Sequence, residues 1–355
     1  LKKSGRNIIP GALVFKLYDT FGFPTDLTAD IVRHDGFALD TAGFEAEMEQ
    51  QRERAREAWK GSGEEVIAEC YLKAASSGTL TEFCGYEGVT RADSKISAIF
   101  RDGQPVVSLE EGQEAEIIVE KTPFYGESGG QVGDTGYLEG KGFIFTVQDT
   151  KKPVEKLFVH KGVVKKGAAK VGDEVNLIVD LEKRRATQAN HSGTHILQAA
   201  LKAVLGDHIK QSGSLVNAER LRFDFSHFSK ISDEEMIRIE VIANDMIRKN
   251  VPVATEICAL EDALKTGATA VFDEKYGAVV RIVKMGEMSM ELCGGTHVAR
   301  TGDIGLLKII HEAAIAAGIR RIEAVTGKGA IAHIQKTDEE LKRTAGLFKA
   351  GHLEV

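Results

Sequence analysis

The apolar positions in roughly the first eighty residues predict helices. Asp40 begins a Glu- and Arg-rich segment in which apolar residues recur at intervals of four, seven and four: Phe44, Met48, Ala55 and Trp59. This spacing places them in one stripe along a helix. Such a stripe is typical of packing against neighbouring helices, and the glycines at positions 61 and 63 predict the end of the helix.

From about residue 94 to residue 180, apolar residues alternate with polar ones, which predicts β-strands. The alternation is clearest in four sets: Ile96, Ala98 and Phe100; Ile117 and Val119; Phe143, Phe145 and Val147; Val175, Leu177 and Val179. Breaks that contain glycine separate these sets. Short strands with turns of this kind predict a small antiparallel β-barrel.

The rest of the chain predicts an α+β unit. A helix is predicted from Lys183 to Leu205, and Ser232 with Glu235 has the form of a capping box that begins a second helix. Strands are predicted near 210–216, 220–225, 253–259, 279–285, 306–310 and 321–325. The predicted fold class is multidomain α+β: a helical region at 1–85, a β-barrel at 86–181, an α+β domain at 182–328 and the start of a helical linker at 329–355.

Composition narrows the class of protein. A chain of 355 residues is long enough for two or three domains, and 43% hydrophobic with 28% charged residues is ordinary for a soluble protein. The apolar runs are too short to span a membrane and no signal segment opens the chain, so we expect a cytoplasmic location. Four cysteines are too few for a disulfide framework.

The charge distribution leaves two interpretations of one segment open. A net charge of −7 argues against a generic nucleic-acid binder, because phosphate contacts need Lys and Arg. Residues 151–170 nevertheless hold seven lysines against a single acid, Glu155. This segment is either a solvated, lysine-rich sheet edge or a weak contact for phosphate.

Two short segments have the spacing of metal ligands. His191 and His195 stand four apart on a predicted helix and therefore project from one face. Cys293 and His297 have the same spacing in a predicted loop and complete a set of four. One thiolate with three imidazoles favours zinc.

A zinc protease would use the same helical histidines differently. Its helix carries His-Glu-x-x-His, and the glutamate beside the first histidine acts as the general base. Ser192 occupies that position here, which argues against peptide hydrolysis by this route.

Five motifs resemble the alanyl-tRNA synthetase family and occur in the family's order. They are Thr122 to Gly136 (TPFYGESGGQVGDTG), Asn190 to Leu197 (NHSGTHIL), Gln211 to Asn217 (QSGSLVN), Ser289 to Val298 (SMELCGGTHV) and Arg321 to Gly327 (RIEAVTG). Val14 to Thr28 (VFKLYDTFGFPTDLT) resembles the end of that family's tRNA-recognition region. The resemblance extends through nearly the whole chain, and the four ligand positions match.

The resemblance implies an editing enzyme. It implies an aminoacyl-tRNA deacylase that hydrolyses the ester of serine or glycine wrongly attached to alanine tRNA, with one Zn²⁺ per chain in the 182–328 domain. The partner is then the acceptor end of mischarged tRNA(Ala). For the full-length enzyme, the resemblance implies an alanine-tRNA ligase that binds ATP and is a possible homo-oligomer. We expect no class II aminoacylation core and no C-terminal domain within this chain.

The same resemblance assigns Thr194, Gln211 and Cys293 to the catalytic site. For Thr194 the alternative is a hydroxyl bonded back to the preceding helical turn. For Gln211 the alternative is a side chain that faces solvent. Glu291, two residues before Cys293, is a candidate to orient a ligand, to act as a base or to form a salt bridge.

Two questions stay open from the sequence. A four-ligand zinc site is closed and structural, whereas one displaced ligand would leave a position for activated water. The alternatives to an editing fragment of the synthetase are a freestanding editing protein and a non-catalytic, zinc-stabilised RNA-binding module. The segment at Val14 to Thr28 favours the first over the freestanding protein, and ester hydrolysis would exclude the non-catalytic module.

Overall fold

A computed structural model describes residues 7–21, 23–33, 36–58, 69–86, 91–269 and 276–348. Eight helices lie within these ranges: α1 Gly11–Phe21, α2 Thr25–Arg33, α3 Thr41–Ala58, α4 Glu69–Ser76, α5 Leu181–Leu205, α6 Asp233–Arg248, α7 Leu260–Lys265 and α8 Gly327–Phe348. A short 3-10 helix covers Thr301–Ile304. None of the described helices is long and apolar enough to cross a membrane.

The described strands are mostly short, and twenty are numbered in chain order. They are β1 Ile8–Ile9, β2 Ala38–Leu39, β3 Glu82–Phe83, β4 Arg91–Arg101, β5 Gln104–Val106, β6 Ser108–Leu109, β7 Glu114–Val119, β8 Lys121–Thr122, β9 Gly136–Gly140, β10 Phe143–Val154, β11 Leu157–Lys166, β12 Ala169–Lys170, β13 Glu174–Val179, β14 Gln211–Val216, β15 Leu221–Ser226, β16 Val253–Ala259, β17 Val279–Met285, β18 Ser289–Leu292, β19 Leu307–Ala316 and β20 Ile319–Thr326.

The predicted N-terminal helices are present. α3 carries the apolar stripe, and its Phe44 ring packs edge-on against Tyr18 of α1 with 5.6 Å between ring centroids. This contact confirms for Phe44 that the stripe packs against a neighbouring helix. Trp59 and the glycines that follow it lie outside the described residues.

The strands between 91 and 179 form a sheet that closes on itself. Its order is β13-β9-β10-β11-β7-β4-β5, and β13 also pairs with β4 in antiparallel fashion. Six strands therefore make a closed antiparallel ring, in which each strand has a neighbour on both sides, and β5 pairs with β4 outside it. Most of the alternating apolar residues fill its core, with Phe145, Leu138 and Leu177 fully buried. Phe100 and Ala98 instead pack with Tyr71 of α4, because the pairing of β4 with β7 shifts between Ile96 and Ala98.

The region after residue 180 combines sheet and helices. β14, β15, β20 and β19 form one sheet in that order, and β16, β17 and β18 form another. One apolar core joins α5 and α6 to both sheets, with Phe223, Phe225 and Leu201 fully buried within it. The predicted capping box at Ser232 is confirmed, since its hydroxyl accepts from the Glu235 N–H and the Glu235 carboxylate accepts from the Ser232 N–H.

Contacts group the described residues into two compact units. One comprises the described residues up to 58 together with 226–230 and 313–320, and the other comprises the remainder. The structure is thus of mixed α and β type. The domain limits predicted at residues 85, 181 and 328 stay a prediction.

Candidate metal centre

Helix α5 supplies two of the four predicted ligands. It begins at Leu181 and is capped by Asp180, whose side chain accepts a hydrogen bond from the Lys183 N–H at 3.1 Å. The middle of the helix is buried, and His191 and His195 stack with 5.4 Å between their ring centroids. The four-residue spacing therefore places both imidazoles on one side of the helix, as predicted.

The other two ligands follow strand β18. Cys293 and His297 lie in a loop, 293–297, that two side chains hold from outside. The Arg281 guanidinium donates to the carbonyls of Cys293 and Gly295 at 3.1 and 2.9 Å, and the Tyr86 hydroxyl donates to the Gly294 carbonyl at 2.6 Å. The same guanidinium lies 4.3 Å from the Tyr86 ring centroid, a cation–π contact.

Close packing explains one glycine of this loop. A Cβ atom at Gly295 would lie only 2.0 Å from Cε1 of His191. Any larger residue would push the loop away from α5. The glycine thus permits the close approach of the two ligand-bearing segments.

The structure brings the four predicted ligands together, and we call His191, His195, Cys293 and His297 the ligand cluster. One ligand atom from each lies within 4.8 Å of all the others. Cys293 Sγ is 3.4 Å from His191 Nε2 and 3.3 Å from His297 Nε2. This group of donors could hold a metal ion.

The opposite ring nitrogens of the three histidines have separate partners. Nδ1 of His191 donates to Gln131 Oε1 at 2.7 Å, and Nδ1 of His195 donates to Glu291 Oε2 at 2.7 Å. Nδ1 of His297 lies 3.2 Å from the Ser192 hydroxyl. Partners of this kind fix the ring orientation and leave Nε2 as the ligand atom.

One buried atom supports a metal directly. Nε2 of His195 is buried and has no hydrogen-bond partner. An unsatisfied buried polar group costs about 1–3 kcal/mol, whereas a cation bound at this nitrogen would satisfy it. The residues of the ligand cluster therefore fit a metal ion.

The electrostatics of the cluster favour the ligand forms of two side chains. Burial opposes ionisation of Cys293, but His191 and His297 lower its pKa well below 9.0. Burial and the neighbouring His191 lower the pKa of His297 to about 3, so its imidazole is neutral at physiological pH. A thiolate and a neutral imidazole are the forms that bind metal.

The pKa of His195 is shifted in the opposite direction. Burial acts to lower its pKa, but Glu291 and Cys293 together raise that pKa well above 6.5. A metal ion bound at this ring would therefore compete with a proton for the nitrogen.

Thr194 and Gln211, which the resemblance assigns to the catalytic site, have different surroundings. The Thr194 hydroxyl is buried on α5 and donates to the Asn190 carbonyl at 2.9 Å, which is the back-bonded alternative for this residue. Gln211 is the half-buried first residue of β14.

A β-bulge decides which way Gln211 faces. The pairing of β14 with β15 shifts between Gln211 and Gly213, so that Gln211 pairs with Phe225 and Gly213 pairs with Asp224. Directly paired residues share one face of a sheet. Gln211 therefore shares the face of Phe225, which packs in the same core as α5.

Gln131, Arg281 and Tyr86 contact the ligand cluster or the 293–297 loop, and sequence reasoning did not single them out. Gln131 stands within the Thr122 to Gly136 motif, which we call the Gly-rich motif, and the glycines around it are a signal of close backbone approach. Arg281 and Tyr86 carry no local pattern that distinguishes them from other surface residues. Glu291, by contrast, was a candidate to orient a ligand and does contact His195.

The lysine-rich segment is partly neutralised by acids. Lys151 pairs with Glu127, and Lys161 pairs with Glu116 at 3.4 Å. Lys165 and Lys166 are exposed at the end of β11, and the Lys165 ammonium lies 5.7 Å from the Tyr137 ring centroid.

Comparison with protein families gives two matches. Residues 1–183, just over half of the chain, match the family described as tRNA synthetases class II (A). Residues 280–323 match the threonyl and alanyl tRNA synthetase second additional domain. The second match includes β17, β18 and the loop that carries Cys293 and His297.

Proposed function

Because the chain belongs to the class II tRNA synthetases of the alanyl type, we propose that it performs the editing reaction of such an enzyme. The reaction is hydrolysis of the ester that joins serine or glycine wrongly to alanine tRNA. The observation that carries this proposal is the convergence of one thiol and three imidazoles in the ligand cluster. Two of these ligands lie in the segment that matches the second additional domain.

Zinc is the ion proposed for the ligand cluster. The set of one sulfur and three nitrogen donors is typical of zinc, and four protein ligands make a closed site. The bound ion would supply positive charge at the edge of the pocket. The ligand set would join α5 to the 293–297 loop, so that both form one wall of the substrate pocket.

The energetics of amino-acid selection explain why an enzyme that attaches alanine to tRNA needs this reaction. A pocket that accepts alanine cannot exclude the smaller glycine by size, and one added hydroxyl on serine changes binding by only a few kcal/mol. Discrimination of roughly a hundredfold is the result. A second site must therefore remove the wrongly attached amino acids.

Thr194 is proposed to recognise serine within that second site. Its hydroxyl proton is already donated to the Asn190 carbonyl, which leaves the oxygen lone pairs as acceptors. The serine hydroxyl can donate to this oxygen, whereas the methyl group of alanine cannot. Gln211, on the sheet face that packs with α5, is proposed to contact the same amino acid.

A deacylation assay tests this function. We expect the chain to hydrolyse Ser-tRNA(Ala), and we expect Cys293→Ala to slow hydrolysis at least about tenfold, as when a metal site is damaged. Cys258→Ala is the matched control, because Cys258 is a half-buried thiol on β16 outside the ligand cluster. Elemental analysis should find one zinc per chain, and much less in a His191→Ala, Cys293→Ala double variant.

The outcomes separate the alternatives. Zinc and RNA binding without hydrolysis by the wild-type chain would indicate a non-catalytic module. Wild-type rates in a folded Cys293→Ala variant would argue against any role of the ligand cluster in the reaction.

A further inference from the structure

Gln131 lies at the end of a tight turn within the Gly-rich motif. Gly129 and Gly130 have φ values of +60° and +85°, and the Ser128 and Gln131 backbones pair on either side of them. Two consecutive positive φ values are typical of hairpin turns that favour glycine. A Cβ atom at Gly130 would lie 2.7 Å from the Ser214 carbonyl oxygen, so the turn can pack against β14 only with glycine there.

Backbone hydrogen bonds fasten this turn to β14. The Val216 N–H donates to the Gly130 carbonyl at 2.7 Å, and the Val132 N–H donates to the Val216 carbonyl at 3.0 Å. The side chain of Gln131, between these two bonds, is fully buried. The turn therefore fixes the backbone position from which the Gln131 side chain extends.

The Gln131 carboxamide contacts both segments that bear metal ligands. Its oxygen accepts from His191 Nδ1 on α5 at 2.7 Å and from the Thr296 N–H of the 293–297 loop at 2.9 Å. Its nitrogen donates to the Thr296 hydroxyl at 2.9 Å. All three bonds of this buried amide thus go to the ligand residue His191 or to Thr296, the neighbour of His297.

We propose that Gln131 is a positioning residue for the metal centre. By accepting from Nδ1 it fixes the His191 tautomer that presents Nε2 to the ion, and by holding Thr296 it sets the distance between α5 and the loop. A neutral carboxamide does here what a carboxylate, Glu291, does for His195. This inference rests on the proposed metal binding of the ligand cluster.

Metal affinity, measured by competition with a chromophoric zinc chelator, tests the inference. We expect Gln131→Leu to weaken zinc binding about ten- to hundredfold, the usual cost of losing an outer partner. Gln131→Glu retains the acceptor for His191 and should restore affinity to the wild-type range. Gln131→Asn is the second variant, for use if Gln131→Leu does not fold. Its side chain is shorter by one methylene, which moves the carboxamide away from His191 and should also weaken zinc binding.

Asn244→Leu is the matched control. Asn244 is also a buried carboxamide with three hydrogen bonds, donating to the Glu240 and Leu307 carbonyls and accepting from the Leu307 N–H. Its loss should lower stability without changing zinc affinity. The absorption spectrum of the cobalt-loaded protein should change in Gln131→Leu and stay unchanged in Asn244→Leu.

Wild-type affinity in both Gln131→Leu and Gln131→Asn would overturn the inference, as would an equal loss in Asn244→Leu. Either result would leave the proposed function intact, because the wild-type chain would still bind zinc. A wild-type chain that binds no zinc would instead remove the proposed metal site itself.

Discussion

His160 in the closed sheet and His195 in the ligand cluster are both buried histidines, and they differ in what the second ring nitrogen meets. His160 has a partner at each nitrogen: the Thr122 hydroxyl is 2.8 Å from Nε2 and the Ile117 carbonyl is 3.0 Å from Nδ1. His195 has Glu291 at Nδ1 and a buried Nε2 without a hydrogen-bond partner. The unsatisfied nitrogen, rather than burial, distinguishes His195 from the fully hydrogen-bonded His160.

The two surroundings also act on the pKa in opposite directions. Burial lowers the pKa of His160 to about 4, because no acid compensates for the loss of water. At His195 the effect of burial is exceeded by Glu291 and Cys293, which raise its pKa well above 6.5. A buried carboxylate and thiol therefore mark the region that can accommodate positive charge.

Removal of the ligand nitrogen should have the largest effect. We expect His195→Ala to lower zinc affinity by more than the ten- to hundredfold typical of an outer partner. His160→Gln should leave zinc content at one per chain. Titration with a competing chelator measures both, and equal zinc affinity in His195→Ala and wild type would contradict the comparison.

Acid stability should depend on His160. Its pKa is about 4 in the fold against an ordinary 6.5, so between these values the unfolded chain binds a proton that the folded chain does not. Stability should therefore fall as the pH drops from 6.5 to 4, by up to about 3 kcal/mol from this residue.

Denaturant unfolding of Cys293→Ala, with and without His160→Gln, measures this effect apart from metal binding. The difference in unfolding free energy between the two proteins should change over this pH range and be constant above pH 7. If the unfolding free energies of both proteins changed with pH in parallel, His160 would accept a proton as readily in the folded as in the unfolded chain, and the prediction would be wrong.

A substitution at Gln211 should lower the rate of deacylation without changing the zinc content. Gln211→His places a rigid ring on the sheet face shared with Phe225, which should crowd the amino-acid pocket. We expect deacylation of Ser-tRNA(Ala) to fall by up to about a hundredfold, as when a substrate is misplaced by about 1 Å, with one zinc retained per chain. Unchanged editing by this variant would mean that Gln211 does not contact the substrate.

The smallest effect is expected for the exposed lysines at the end of β11, where replacement should change only the salt dependence of RNA affinity. If Lys165 and Lys166 contact the tRNA backbone, replacing both with Gln should lower the slope of log affinity against log salt by roughly one to two units. The same change at Lys161, which is paired with Glu116, is the control and should leave the slope nearly unchanged. An unchanged slope in the Lys165, Lys166 variant would identify these lysines as a solvated sheet edge.

The sequence by itself determined the local elements and the four candidate ligands. Alternation predicted the strands of the closed sheet, the Ser232 capping box predicted the start of α6, and four-residue spacing predicted the ligand pairs. Each of these features depends on neighbours in the chain, because side-chain direction repeats with the period of the helix or strand.

Tertiary structure decided which residues complete the site. Gln131 reaches His191 across sixty positions and Glu291 reaches His195 across ninety-six, and no local pattern encodes such separations. The bulge that turns Gln211 toward the core also depends on its partner strand, since one shift in pairing reverses the face of every residue beyond it. The sequence named the ligands, but only packing between distant segments left one histidine nitrogen buried and free for a metal ion.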